Sequence, residues 1–124
     1  MVRIMTLSQK VENSPVPRGS LFETTGARTD SEVVEVLLER PGARIERIVS
    51  LGQATPAGQW YDQADDEWVA LLAGRATLRF DDGALVELVA GDWLLIPAHV
   101  RHRVESTSSD PPSVWLAIHL RDGR

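Results

Sequence analysis

The sequence predicts an all-β fold, a sandwich or a barrel. Three observations carry that reading. Short apolar runs recur at roughly ten-residue spacing, as in sandwiches and barrels. Gly, Pro and Asp-Gly turn signals separate them. Nothing between them is long enough for a crossover helix, which argues against a parallel α/β sheet.

The elements follow in order. Residues 1–20 show little periodicity, are punctuated by Pro15, Pro17 and Gly19, and read as an N-terminal arm or mobile end. Residues 21–124 are taken as a single domain. Val33, Val34, Val36, Leu37 and Leu38 form a dense apolar run ended by Pro41-Gly42. A short helix capped by Asp30 or Ser31 is the alternative there, but β-branched residues favour a strand. Ile45 to Val49 comes next, and Pro41-Gly42 between the two runs suits a hairpin turn. Trp68–Leu72 leads to Gly74. Thr77–Phe80 alternates and meets the turn Asp81-Asp82-Gly83. Leu85–Val89 stops at Gly91-Asp92, and Trp93–Ile96 stops at Pro97. Arg101–Val104 alternates, and Val114–Leu120 is the last run. Gly74, Gly83 and Gly91 sit where a backbone between strands often needs positive φ.

The 124 residues allow one domain, and 43% apolar content is enough for one core. Net charge is 13 − 18 = −5, which argues against nucleic acid and anionic membrane surfaces as partners. With no cysteine, disulfides, thiolate metal sites and cysteine nucleophiles are excluded. No apolar stretch approaches the roughly 18 residues of a membrane span, and no secretory signal is visible. The expectation is a soluble, cytoplasmic protein. Ser106, Ser108 and Ser109 lack a nucleophile elbow, and neither a phosphate-cradling loop nor a dinucleotide fingerprint is present. The pairs Arg101/Arg103 and Arg44/Arg47 read as solvated strand faces.

Two spacings carry a family resemblance. Glu67, six intervening residues and Gly74 match the tail of the first cupin motif. Gly91, Pro97, His99 and His102 follow the second, with His99 where that motif has Gly and Ser106 where it has Asn. The chain resembles a small single-domain bacterial cupin with a Trp60-Tyr61-Asp62-Gln63 segment. The resemblance implies a double-stranded β-helix, the jelly-roll barrel, with the site inside its mouth. It also implies a divalent metal (zinc, iron, manganese or nickel), normally held by two His one residue apart, a Glu and a later His. Here Glu67 and His102 occupy the last two places. The two earlier imidazoles are missing: one register puts Tyr61 and Gln63 there, the other Trp60 and Asp62.

Residues two apart on a strand point the same way, so only one of Asp62 and Gln63 accompanies Glu67 inward. Asp62 carries the charge a metal prefers and is favoured. The expected metal set is thus His102, Glu67 and either Asp62 or Gln63. Glu67 acts as general base if no metal is present, and Tyr61 as a proton donor or a hydrogen-bond donor to substrate. The blander readings are a solvated acid for Glu67 and strand-end packing for Tyr61. His102, between two arginines, is expected to face inward. His99 reads as a turn residue with unusual φ. His119 faces either pocket or solvent. Of the four tryptophans, Trp60 is the one expected near the pocket.

Three functions stay open. One is a metal-dependent cupin acting on a small polar molecule as oxygenase, isomerase or lyase. Another is a non-catalytic, metal-free binder of such a ligand. The last is a metal-free enzyme using His102 and Glu67 as an acid–base pair. A homodimer is expected, with the 33–38 run as its surface.

Overall fold

The computed structural model describes residues 15–121 and, for the backbone, residues 2–6. Nine strands and no helix occur among the described residues: β1 (Val2–Thr6), β2 (Glu32–Arg40), β3 (Ala43–Ser50), β4 (Asp66–Ala73), β5 (Arg75–Phe80), β6 (Leu85–Val89), β7 (Trp93–Ile96), β8 (His102–Thr107) and β9 (Ser113–Leu120). They form a six-stranded sheet, β1-β2-β3-β9-β4-β7, facing a three-stranded sheet, β6-β5-β8. Every pairing is antiparallel except β1 with β2. Among the described residues no helix is long and apolar enough to cross a membrane.

Each expected run is a strand, and Pro41-Gly42 is the two-residue connection between β2 and β3. The 33–38 run is β2 rather than a helix. It presents no free edge along its first residues, because β1 pairs from Glu32 to Val36. Gly74, Gly83 and Gly91 have φ of 81°, 91° and 98°. At Gly74 the backbone of Pro112 and Ser113 also leaves no space for a side chain, so the β4–β5 corner takes glycine for two reasons at once.

The two-residue period sorts each strand of the large sheet. On β4, Val69 and Leu71 point in with Glu67. On β9, Trp115 and Ala117 point in with His119. On β3, Ile48 lies on the same inner side as Glu46. The apolar inward positions meet Ala76, Leu78, Leu88 and Ile96 to make the core. Leu71 and Ala117 are wholly buried there. The polar inward positions gather at the other end and line a cavity. The outer face carries a register-matched apolar row across five strands, Leu38–Ile45–Ile118–Trp68–Leu95, beside which Trp93 stacks on Trp68 at 5.9 Å.

Arg47 corrects the reading of it as a solvated residue. It is outward on β3, yet 4% exposed. Its Nε donates to Glu35 Oε1 at 3.1 Å, and its Nη1 donates to the carbonyls of Leu21 and Glu23. The segment before β2 therefore folds over this end of the outer face, and the Glu35–Arg47 pair fixes it there. A buried charge left without its partner is costly. Arg47→Met is expected to destabilise the protein by about 3–5 kcal/mol. Glu35→Leu combined with Arg47→Met should recover much of that, as read by denaturant unfolding.

Candidate functional site

A cavity of about 220 Å³ opens between the sheets, its walls including Glu32, Glu46, Tyr61, Gln63, Glu67, His102, Trp115 and His119. Three sheet neighbours bring the key groups in. Glu67 on β4 lies directly opposite His119 on β9. His102 opens β8, where its backbone exchanges both hydrogen bonds with Tyr61 at 2.7 and 3.1 Å. That bridge stacks the Tyr61 ring on His102 at 5.6 Å, while Phe80 approaches the imidazole at 6.1 Å. The imidazole is thus held between two aromatic rings.

His102 Nδ1 sits 2.9 Å from the Val100 carbonyl. A carbonyl only accepts, so Nδ1 carries a proton. That turns Nε2 toward Glu67 Oε1 at 3.6 Å. Both side chains are close to nine-tenths buried or more. The gap is longer than a hydrogen bond, so the two groups face each other as a charge pair. Burial works against the imidazolium, but the Glu67 carboxylate and the Val100 carbonyl outweigh it and hold the His102 pKa above its ordinary value.

A second couple lies on the same wall. His119 Nε2 meets Glu46 Oε1 at 2.9 Å. The hydrogen bond that His119 donates to Glu46 raises the His119 pKa against the cost of burial, and the Glu67 charge adds to it. Burial pushes Glu46 up, yet His119 and Arg44 together bring it below the ordinary carboxylate range. Arg44 reaches Glu46 Oε2 at 3.0 Å. Glu32 is raised, chiefly by burial and further by Glu46. Tyr61 is raised by burial and by the charges of Glu32 and Glu67.

The expected residues divide clearly. Glu67, His102, Tyr61 and Gln63 line the cavity. Asp62 does not, which corrects the preference for it. Its carboxylate is exposed and bonds His99 Nδ1 at 2.8 Å. Residues 62–65 lie in an irregular stretch ahead of β4, where the His99 amide holds the Gln63 backbone and the Asp62 side chain is drawn outward to His99; the preference for charge had no bearing on direction. His99 is the turn residue expected, with φ of 64°. Its amide holds the Gln63 carbonyl at 2.7 Å. His119 faces the cavity. Trp60 lies outside it with the Arg101 guanidinium 5.5 Å from its ring, and Trp115 is the tryptophan in the wall. Glu46 and Glu32 were not foreseen. The signal for Glu46 was present, since it alternates with Ile48 on a strand whose other face holds Ile45 and Val49.

The profile described as "Cupin domain" matches residues 48–119. The chain belongs to the cupin family. Among solved structures, this cupin is 44% identical to a candidate mannose-6-phosphate isomerase from Ralstonia eutropha, with a TM-score of 0.79, covering 85% of this chain and 98% of that one. A cupin superfamily protein from Desulfitobacterium hafniense is 25% identical, with a TM-score of 0.69, covering 90% and 94%. The iron(II) form of HppE, at 15% identity, a TM-score of 0.61 and coverage of 72% and 50%, shows the shared fold alone. No curated protein matches. The jelly-roll barrel expected from the two motifs is the architecture of this cupin.

Cupins often bind metals, and the donor chemistry of this one can be tested against that habit. The places of the first two imidazoles hold Tyr61 and Gln63. Among the described residues, no three His, Asp or Glu side chains form a group able to hold a metal ion. His119 Nε2 is engaged by Glu46, which leaves His102 Nε2 as the imidazole nitrogen beside Glu67. These residues do not fit a resident divalent ion.

The His119–Glu46 couple has a pH signature. A raised His contributes stability below 6.5 and loses it as pH climbs through its folded pKa. A lowered Glu contributes above 4.5 and loses it as pH falls through its folded pKa. The couple is therefore at full strength between those values. Glu46→Gln should cost about 1.5–3 kcal/mol in that window and less above it, measured by thermal unfolding across pH.

Proposed function

We propose that this cupin moves protons on a small polar, carbonyl-bearing molecule, in an isomerase-type reaction without a metal. The observation that carries this is the buried Glu67–His102 pair facing across 3.6 Å at a cavity wall. A carboxylate facing an imidazole whose hold on its proton is strengthened sets a base beside an acid.

Glu67 takes the proton from the carbon next to the substrate carbonyl, breaking C–H and forming O–H on the carboxylate. His102 Nε2 gives its proton to the carbonyl oxygen, producing an enediol with no net change in oxidation state. Returning the Glu67 proton to the neighbouring carbon, and a hydroxyl proton to His102, completes the isomerisation. Tyr61 packs over the imidazole and lines the same space. The 44%-identical relative is itself named as a candidate isomerase, which supports the reaction type.

The test is solvent-deuterium incorporation into small aldoses and ketoses, followed by NMR on chelator-treated protein. Incorporation is expected to persist after chelation. His102→Ala and Glu67→Gln should each lower it about 10²-fold or more. Incorporation that vanishes with chelator and returns with zinc, iron, manganese or nickel would establish the metal-dependent reading instead. Ligand binding with no incorporation would leave this cupin a binding module.

A further inference from the structure

We infer that the cavity takes an uncharged, hydroxyl-rich molecule of sugar size and discriminates against its phosphorylated form. This rests on the cavity being the ligand site, as proposed above, but not on its chemistry.

The first support is the donor–acceptor balance of the walls. Glu32, Glu46, Glu67 and the side-chain oxygen of Gln63 accept hydrogen bonds. The Gln63 oxygen is buried and has no partner among the described residues. A buried acceptor in that state is costly, and a small turn of the Gln63 side chain toward the cavity it lines would let a ligand hydroxyl donate to it. The two imidazoles in the wall, His102 and His119, already face Glu67 and Glu46.

The second support is what the walls lack. No Lys or Arg lines the cavity among the described residues. The arginines nearby are turned to other work: Arg44 to Glu46, Arg101 over Trp60, and Arg103 to the Thr55 carbonyl and Glu105. An outer hollow of about 340 Å³ shares Glu32, Tyr61 and Val104 with the cavity and is lined further by Asp30, Gln53 and Gln59. It too has no basic side chain among the described residues that line it. Asp30 at the outer rim is already paired with Arg28, so a phosphate projecting from a ligand would meet the Glu32 carboxylate where phosphate recognition calls for a free guanidinium or ammonium.

Size is the third support. The volume holds about seven waters at roughly 30 Å³ each, which suits a small sugar or polyol. Trp115, Leu78 and Val69 offer an apolar wall for its C–H face.

The chain has three histidines, so imidazole NMR reports the site with its own control. Mannose, ribose and glycerol would be titrated against mannose 6-phosphate, ribose 5-phosphate and glycerol 3-phosphate. At least one free compound is expected to shift His102 and His119 saturably while His99, exposed outside the cavity, stays put. Its phosphorylated form should need at least tenfold more. Gln63→Leu should weaken the free compound about fivefold. Glu32→Gln should narrow the gap between the two forms. Equal or tighter binding of a phosphorylated compound overturns the inference, as does the absence of any saturable shift from all three free ones. Saturable binding of a free sugar without deuterium incorporation would support this inference while removing the proton-transfer reading. Incorporation confined to a phosphorylated sugar would do the reverse.

Discussion

Strand pleating obliges every second residue to face the barrel interior, and the cavity exists because β3, β4 and β9 place a polar side chain at one end of an otherwise apolar inner face. Glu46, Glu67 and His119 occupy those positions, and His102 enters from the opposing sheet. The same alternation builds the core at the other end from Val69, Leu71, Trp115 and Ala117. Core and site are two ends of one pattern, so the rigidity of the packed end positions the polar one.

Burying that much charge is tolerable because it is paired. An isolated carboxylate or imidazolium in such surroundings would give up its charge instead. Glu67 faces His102, and Glu46 faces His119 with Arg44 behind it. Pairing keeps both imidazoles charged to higher pH than usual and leaves each of them facing a carboxylate. In the reading proposed here, the resident charges serve the chemistry and the choice of ligand together. On the far side of the sheet the same logic holds Glu35 and Arg47, where it serves only to fasten the preceding segment.

Most of the fold was legible because its signals are local. Gly74, Gly83 and Gly91 mark turns through their positive φ, and short alternating runs between them mark strands. The site was legible only in part. Glu67 and His102 stood out through motif spacing, and Tyr61 and Gln63 through one of two registers. Asp62 was preferred for its charge, which had no bearing on direction. Arg47 was read as solvated and its neighbour on β3, Glu46, was given no role, because polar residues on an alternating strand look solvent-facing whichever side they take. Only the tertiary partners, His119 inside and Glu35 outside, decide where they go. Pairing between distant strands leaves no trace in a local window.

The most direct test of the central claim is the titration of His102 by imidazole NMR in the unaltered protein and in Glu67→Gln. If the carboxylate across the gap holds the imidazolium, removing its charge must lower the His102 pKa while leaving His99 where it was. A His102 pKa unmoved by the substitution would mean that the two groups do not face each other in the cavity, and the acid–base account would fall with them.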